Sequence, residues 1–223
     1  MDKLKRAYVD THGHMPVTIM QIGGYDTNTY VISDGNGEGA PTMVIDPAGD
    51  AQAIMKAIGW KKVEVIVATH EHNDHLVGLP DLVKMTGAPV VASVKDSKLI
   101  ESGQPGWMGA WDAVAPVKVD RKVSEGDIIE LGSLKFRVLM TPGHTPGGMC
   151  LLLESDEGPD MLFAGDTLFN NGVGRVDFDG GSARDLRKSL RRLATLPETT
   201  VVYPGHGPYT TIKAEKKRTL LSY

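Results

Sequence analysis

The chain has 223 residues, with 24 Lys and Arg against 28 Asp and Glu, giving a net charge of −4 and a pI near 6.0. Such a balance gives no reason to expect a nucleic-acid partner, and 41% hydrophobic with 23% charged residues is the composition of a globular protein. The single cysteine, Cys150, excludes an intrachain disulfide. No apolar run is long enough to span a membrane, and the charged start Met1-Asp2-Lys3-Leu4-Lys5-Arg6 lacks a signal-peptide core. The expectation is a soluble, cytoplasmic protein of one domain, 1–223, with no membrane partner. Nothing in the sequence reports its oligomeric state.

Residues 17–21, 27–33 and 42–46 read as strands, the last two joined by the loop Asp34-Gly35-Asn36-Gly37-Glu38-Gly39. Residues 50–60 read as a helix with Ala53, Ile54, Ala57 and Ile58 at helical spacing. The continuous apolar run 63–68 is a strand covered on both faces. A short helix is predicted over 79–86, ended by Gly87, then a strand over 89–93 and a helical turn over 96–101. Residues 103–118, with Trp107, Met108 and Trp111, match no pattern. A second strand-rich half follows at 127–131, 134–140, 149–154 and 161–164. Ser182 caps a strong helix over 182–196 whose buried stripe is Leu186, Leu190 and Leu193. A strand over 200–203 and a helix over 211–219 end the chain. Two strand-rich halves with helices between and after them predict two packed sheets with helices outside.

The chemistry is concentrated at His70-Glu71-His72-Asn73-Asp74-His75, at the C-terminal end of the 63–68 strand. That end of a strand is where α/β sheets place their sites. Imidazole and carboxylate are ligands for zinc, iron and manganese. In extended chain, residues i and i+2 share a side, so His70 and His72 can reach one metal. Asp74 and His75 fall where the chain turns into a helix and can reach a second. Three further candidates sit in separate turns: His144 in Thr141-Pro142-Gly143-His144-Thr145-Pro146-Gly147-Gly148, Asp166 in Ala164-Gly165-Asp166-Thr167, and His206 in Pro204-Gly205-His206-Gly207-Pro208. The bland reading of each is a turn residue or cap. His12 and His14 share the i, i+2 spacing but precede the first predicted strand and are read as non-ligands. Two metals sharing a carboxylate and a solvent oxygen need about seven protein ligands. The sequence supplies them as His70, His72 and His144 on one metal, Asp74, His75 and His206 on the other, and Asp166 between.

These motifs, in this order, resemble the metallo-β-lactamase-fold hydrolases along nearly the whole chain. The resemblance implies an α/β (α+β) fold, a four-layer αββα sandwich with a dinuclear site at one edge of the sheets and the ligand sharing just given. It implies two divalent metal ions, with zinc first and iron or manganese as alternatives. True metallo-β-lactamases, which have a basic residue at the position of His75 and a cysteine at that of Asp166, do not match, nor do flavodiiron proteins, which carry a glutamate at that of His72. Residues 165–178, Gly-Asp-Thr-Leu-Phe-Asn-Asn-Gly-Val-Gly-Arg-Val-Asp-Phe, are similar to glyoxalase II and to the persulfide dioxygenases.

The first implied activity is hydrolysis of hydroxyacyl-glutathione or a related small thioester or ester by a metal-bridging hydroxide, with Asp74 as ligand and as the carboxylate that orients the nucleophile. Arg175 matches a glutathione-holding basic residue of glyoxalase II. Asp177, however, stands where that group has a tyrosine, and the chain ends at Tyr223 without the helical C-terminal domain. For Arg175, substrate contact and an ion pair with Asp177 or Asp179 are both open. A persulfide dioxygenase-like enzyme with one iron on His70, His144 and Asp166 is the alternative. A non-catalytic metal-binding module, or a nucleic-acid surface built on the basic face Arg184, Arg187, Lys188, Arg191 and Arg192, ranks behind both. Trp107, Met108 and Trp111 are expected either to wall a substrate pocket or to pack on the core.

Overall fold

In a computed structural model, residues 3–106 and 113–223 are described. Trp107, Met108 and Trp111 lie outside them. The first sheet has seven strands in chain order: β1 (Arg6–Asp10), β2 (Val17–Ile22), β3 (Thr27–Ser33), β4 (Pro41–Ile45), β5 (Lys62–Val67), β6 (Val90–Ser93) and β7 (Arg121–Val123). Pairing is antiparallel from β1 to β4 and parallel from β4 to β7. The parallel part exists because helices carry the chain back between strands. These are α1 (Ala51–Ile58) between β4 and β5, and α2 (Asn73–Leu76) with α3 (Leu79–Thr86) between β5 and β6. Asp50 caps α1 by accepting from the amides of Gln52 and Ala53, and Gly87 ends α3 in the left-handed region at φ 67°. The helical turn expected over 96–101 is α4 (Ser97–Ser102).

The second sheet has six strands, in the order β15-β14-β11-β10-β9-β8. They are β8 (Ile128–Leu131), β9 (Leu134–Met140), β10 (Met149–Leu153), β11 (Met161–Gly165), β14 (Val201–Pro204) and β15 (Thr210–Thr211). A small hairpin, β12 (Leu168–Phe169) and β13 (Gly172–Val173), leaves β11 at the site edge. β11 and β14 pair in parallel because α5 (Ala183–Leu193) crosses over between them. Ser182 caps α5 by accepting from the Asp185 amide at 3.2 Å, and Leu186, Leu190 and Leu193 are wholly buried, as their spacing predicts. Each such leucine contributes about 1.5–3 kcal/mol when taken out of water.

Three apolar layers hold these elements together. The middle one packs alternate residues of both sheets, including Ile32, Met43, Ile45, Phe136, Phe163 and Tyr203. One outer layer joins the first sheet to α1 and α3 through Ile54, Ile58, Leu79 and Leu82. The other joins the second sheet to α5 and the C-terminal helix. The result is the expected αββα sandwich.

Two departures have local causes. β1 was not predicted because it is an edge strand whose outer positions, such as Val9, face solvent, so no alternation marks it. The C-terminal helix covers 212–220, close to its expected span of 211–219, but only α6 (Ile212–Glu215) is α-helical; it widens into a π-helical turn over Lys216–Leu220. The widening gathers donors around the fully buried Glu215, whose carboxylate accepts from Thr210, Arg218, Thr219 and the Asn171 amide. Among the described residues no helix is long and apolar enough to cross a membrane.

Candidate metal centre

The seven residues that the sequence singles out converge at one edge of the sandwich. β5 delivers His70 and His72 in extended chain, and α2 begins at once, so Asp74 and His75 turn away toward a second position. The loop between β9 and β10 brings His144, the end of β11 brings Asp166, and the end of β14 brings His206. One atom from each of His70, His72 and His144 lies within 4.8 Å of the others, as does one from each of Asp74, His75 and His206. Asp166 stands between the groups: its Oδ2 is 3.5 Å from His144 Nε2 and 3.5 Å from His206 Nε2, and its Oδ1 is 3.2 Å from His75 Nε2.

The far side of four of the imidazoles is fixed by the protein. His144 Nδ1 donates to the Arg175 carbonyl at 2.7 Å, and His206 Nδ1 donates to the Tyr25 carbonyl at 3.2 Å. His75 Nδ1 donates to Asp46 Oδ2 at 2.9 Å. The Thr69 hydroxyl donates to the same Asp46 oxygen at 2.6 Å, which leaves it to accept from His70 Nδ1 at 3.1 Å. In every case Nε2 is turned to the centre. Buried polar atoms are normally hydrogen-bonded, yet among the described residues His70 Nε2, His144 Nε2 and Asp166 Oδ1 are buried without a hydrogen bond, the last two having only ion-pair contacts within the centre. A donor set of nitrogens and carboxylate oxygens with unpaired buried atoms fits divalent cations, and the outer hydrogen bonds are those that orient metal ligands.

The electrostatics divide the site. Burial, reinforced by His75, holds His70 well below the usual imidazole range. Burial and the neighbouring His144 bring His72 to about 4. Both are neutral at pH 7, the form that binds a metal. His75 and His206 go the other way. Burial opposes their charge, but Asp166, Asp74 and, for His75, Asp46 outweigh it; His206 rises to about 9. A cation arriving beside them displaces a proton, because the metal needs the neutral imidazole. Glu71, the one acidic residue of the hexapeptide outside the candidate set, is buried. Burial and the nearby Asp96 push its carboxyl to about 8.

Two residues that support the centre escaped the sequence reading. Asp46, buried at the end of β4 with φ at 51°, accepts from the Thr69 amide and hydroxyl and from His75. Asp96, buried after β6, accepts from the Thr145 hydroxyl at 2.7 Å and so anchors the His144 turn. A carboxylate ending a strand was a visible signal in both cases, but their partners lie 29 and 49 residues away. His12 and His14 stand outside the centre, on Asp10 and the Pro159 carbonyl.

Close approach at Gly205 keeps the two halves of the centre in register. A Cβ built there would overlap Asp166 Oδ1 and stand 2.7 Å from His75 Cε1. Gly205→Ala is therefore expected to displace the Asp166 carboxylate. Since a shift of about 1 Å in an oriented group costs on the order of 100-fold in rate, a metal-dependent activity should fall by that order while circular dichroism stays unchanged. Wild-type metal content and turnover in the variant would refute the placement.

A cavity of about 670 Å³ opens above the centre, lined by Asp74, Phe169, Val173, Arg175 and Phe178 among others. The Arg175 guanidinium meets the Asp177 carboxylate through two bonds, at 2.7 and 2.6 Å, which is the ion-pair alternative of the sequence reading.

Comparison with known proteins agrees with this geometry. The sequence profile of the metallo-beta-lactamase superfamily matches residues 22–206, a span that holds all seven residues of the centre. Hydroxyacylglutathione hydrolase GloC of Haemophilus influenzae is 31% identical over 212 residues, covering 91% of this chain and 96% of that protein. The structure of BLEG-1 B3 metallo-beta-lactamase superposes with a TM-score of 0.79 at 28% identity, over 92% of this chain and 99% of that one. TTHA1623 in a di-iron-bound form superposes with a TM-score of 0.72 at 33% identity, over 89% and 96%. This chain belongs to the metallo-beta-lactamase superfamily.

Proposed function

We propose that the protein is a dinuclear metal-dependent hydrolase of the glyoxalase II-like kind, cleaving a thioester or a related small ester. The observation that carries this reading is the completeness of the second group, Asp74, His75 and His206, beside a first group of three histidines, with Asp166 within 3.5 Å of members of both. His70, His72 and His144 would hold one cation, Asp74, His75 and His206 the other, and Asp166 both. Zinc, iron and manganese all suit these donors, and the di-iron form of TTHA1623 keeps iron in view. Two such cations, when bound, supply Lewis acidity that brings a water to hydroxide near neutral pH and stabilises the oxyanion of the attacked carbonyl.

The chain's own residues do the rest. Asp74 lines the cavity on the substrate side, and its Oδ2 is 3.3 Å from His206 Nε2. Its carboxylate stays ionised: burial raises it, but the charge of His75 and the bond from His206 prevail. It therefore orients a nucleophilic water as an acceptor. A thiolate leaves without strong acid catalysis. GloC is named as a hydrolase of hydroxyacylglutathione, which supports a thioester as the scissile bond.

The test is metal analysis of the purified protein followed by a panel of thioesters, lactones and a β-lactam, each with and without chelator. Two metals per chain and thioester turnover abolished by chelation and restored by zinc, iron or manganese are expected. No thioester turnover in a metal-replete sample would overturn the proposal, as would one iron per chain with oxygen uptake on a persulfide.

A further inference from the structure

Above the centre the cavity wall is mainly apolar, with Phe169, Val173 and Phe178 and with Tyr25 from the turn between β2 and β3. Arg175 is the lone Lys or Arg among the described residues that line it. Its charge is already committed. Nε and Nη2 bond the two oxygens of Asp177, and the guanidinium lies 4.2 Å over the Phe178 ring. The partners are two and three residues along one loop, and the backbone carbonyl of Arg175 accepts from His144, which anchors the loop at Arg175. The bond from Arg175 keeps Asp177 ionised, its carboxyl held to about 2.

A substrate carboxylate approaching Arg175 finds the Nε and one Nη2 hydrogen taken by Asp177 and must sit beside the negative charge of that carboxylate, at a pair with no net charge. Two like charges about 4 Å apart at a wet surface repel weakly, yet enough to change affinity by about fivefold. The flat aliphatic and aromatic wall gains from uncharged groups instead.

We infer that the Arg175–Asp177 pair makes this site selective for thioesters whose thiol half carries no charge near the cavity mouth, at the expense of glutathione thioesters with their two carboxylates. The inference rests on the thioesterase reading for its substrate, and on the ion pair for its selectivity. Asp177 is then a specificity-determining residue, and it acts by holding Arg175 away from anions.

The experiment uses the metal-loaded full chain. Turnover is compared for the same acyl group on glutathione and on N-acetylcysteamine, an uncharged thiol. Binding of the matching S-butyl thioethers, which cannot be hydrolysed, is measured by calorimetry. Expected are a lower KM and Kd for the N-acetylcysteamine compounds in the wild type. In Asp177→Ala the ratio should shift by about fivefold toward the glutathione compounds, and adding Arg175→Met to that variant should cancel the shift, because the freed guanidinium is what gains the anion. Tighter binding of the glutathione thioether by the wild type would overturn the inference, as would an Asp177→Ala shift that persists when Arg175→Met is added. If the thioethers rank as expected but neither thioester is cleaved, the selectivity stands and the hydrolase reading fails.

Discussion

Asp166→Asn should cut metal-dependent turnover by roughly a thousandfold, because each factor of ten is about 1.4 kcal/mol and a metal supplies several kcal/mol of transition-state stabilisation. The carboxylate reaches toward His144 on one side and toward His75 and His206 on the other. Asparagine keeps the shape but offers one acceptor oxygen, no charge and an NH₂ that repels a cation. Loss of the charge also removes what holds protons on His75 and His206, so both imidazoles become neutral at lower pH. The histidines thus remain able to bind metal, and what disappears is the bridge. The expected result is fewer than two metals per chain and the large loss in kcat/KM, with the melting profile of a folded protein. Two metals per chain and near-wild-type turnover would show that Asp166 does not join the two positions.

Asp46→Asn should weaken metal binding by about 10- to 100-fold, the usual cost of removing a partner behind a metal ligand. Asp46 comes within 4.8 Å of ligand atoms of His70 and His75, but its bond is to His75 Nδ1, behind the Nε2 that faces the centre. One of its oxygens accepts from His75 Nδ1 and from the Thr69 hydroxyl, and that hydroxyl accepts in turn from His70. A single carboxylate therefore sets the tautomer of a ligand in each half of the centre, which makes it a positioning residue. Asparagine tolerates the φ of 51° and removes only the charge and one acceptor. Activity in the variant should be regained at saturating metal, with kcat recovering before apparent affinity does. Wild-type affinity on titration with zinc, or activity that no metal concentration restores, would contradict this role.

The convergence of the seven candidate residues was legible because all but Asp74 and His75, which lie in α2, occupy a strand end or a Gly- and Pro-rich turn, where a polar side chain has few structural duties. His70 and His72 announce their common direction through the two-residue period of extended chain, and the onset of α2 at Asn73 accounts for the change of direction at Asp74 and His75. What could not be read were pairings over distance. Asp46 precedes Pro47 at the end of β4 and looks like any carboxylate at a turn; only the parallel register of β4 and β5 sets it beside Thr69. Asp96 is hidden in the same way. For Arg175 the sequence left two partners open, and the two-residue spacing to Asp177 decided it once the loop geometry was known. The strands β1, β7 and β15 carry too few alternating apolar residues to be separated from loops, whereas the stripe of α5 needed no tertiary context.

The seven residues of the centre come from both sheets: four follow β5 of the first, and three follow β9, β11 and β14 of the second. Ions held by this set are bonded across the seam that Ile45, Phe136, Phe163 and Tyr203 close by burial. The free energy of binding them is then also free energy of keeping the halves together, and by mass action it grows with the free metal concentration. With the proposed ions bound, the sandwich would have no single stability of its own: how firmly its halves are joined would be set in part by the metal content of the surrounding solution.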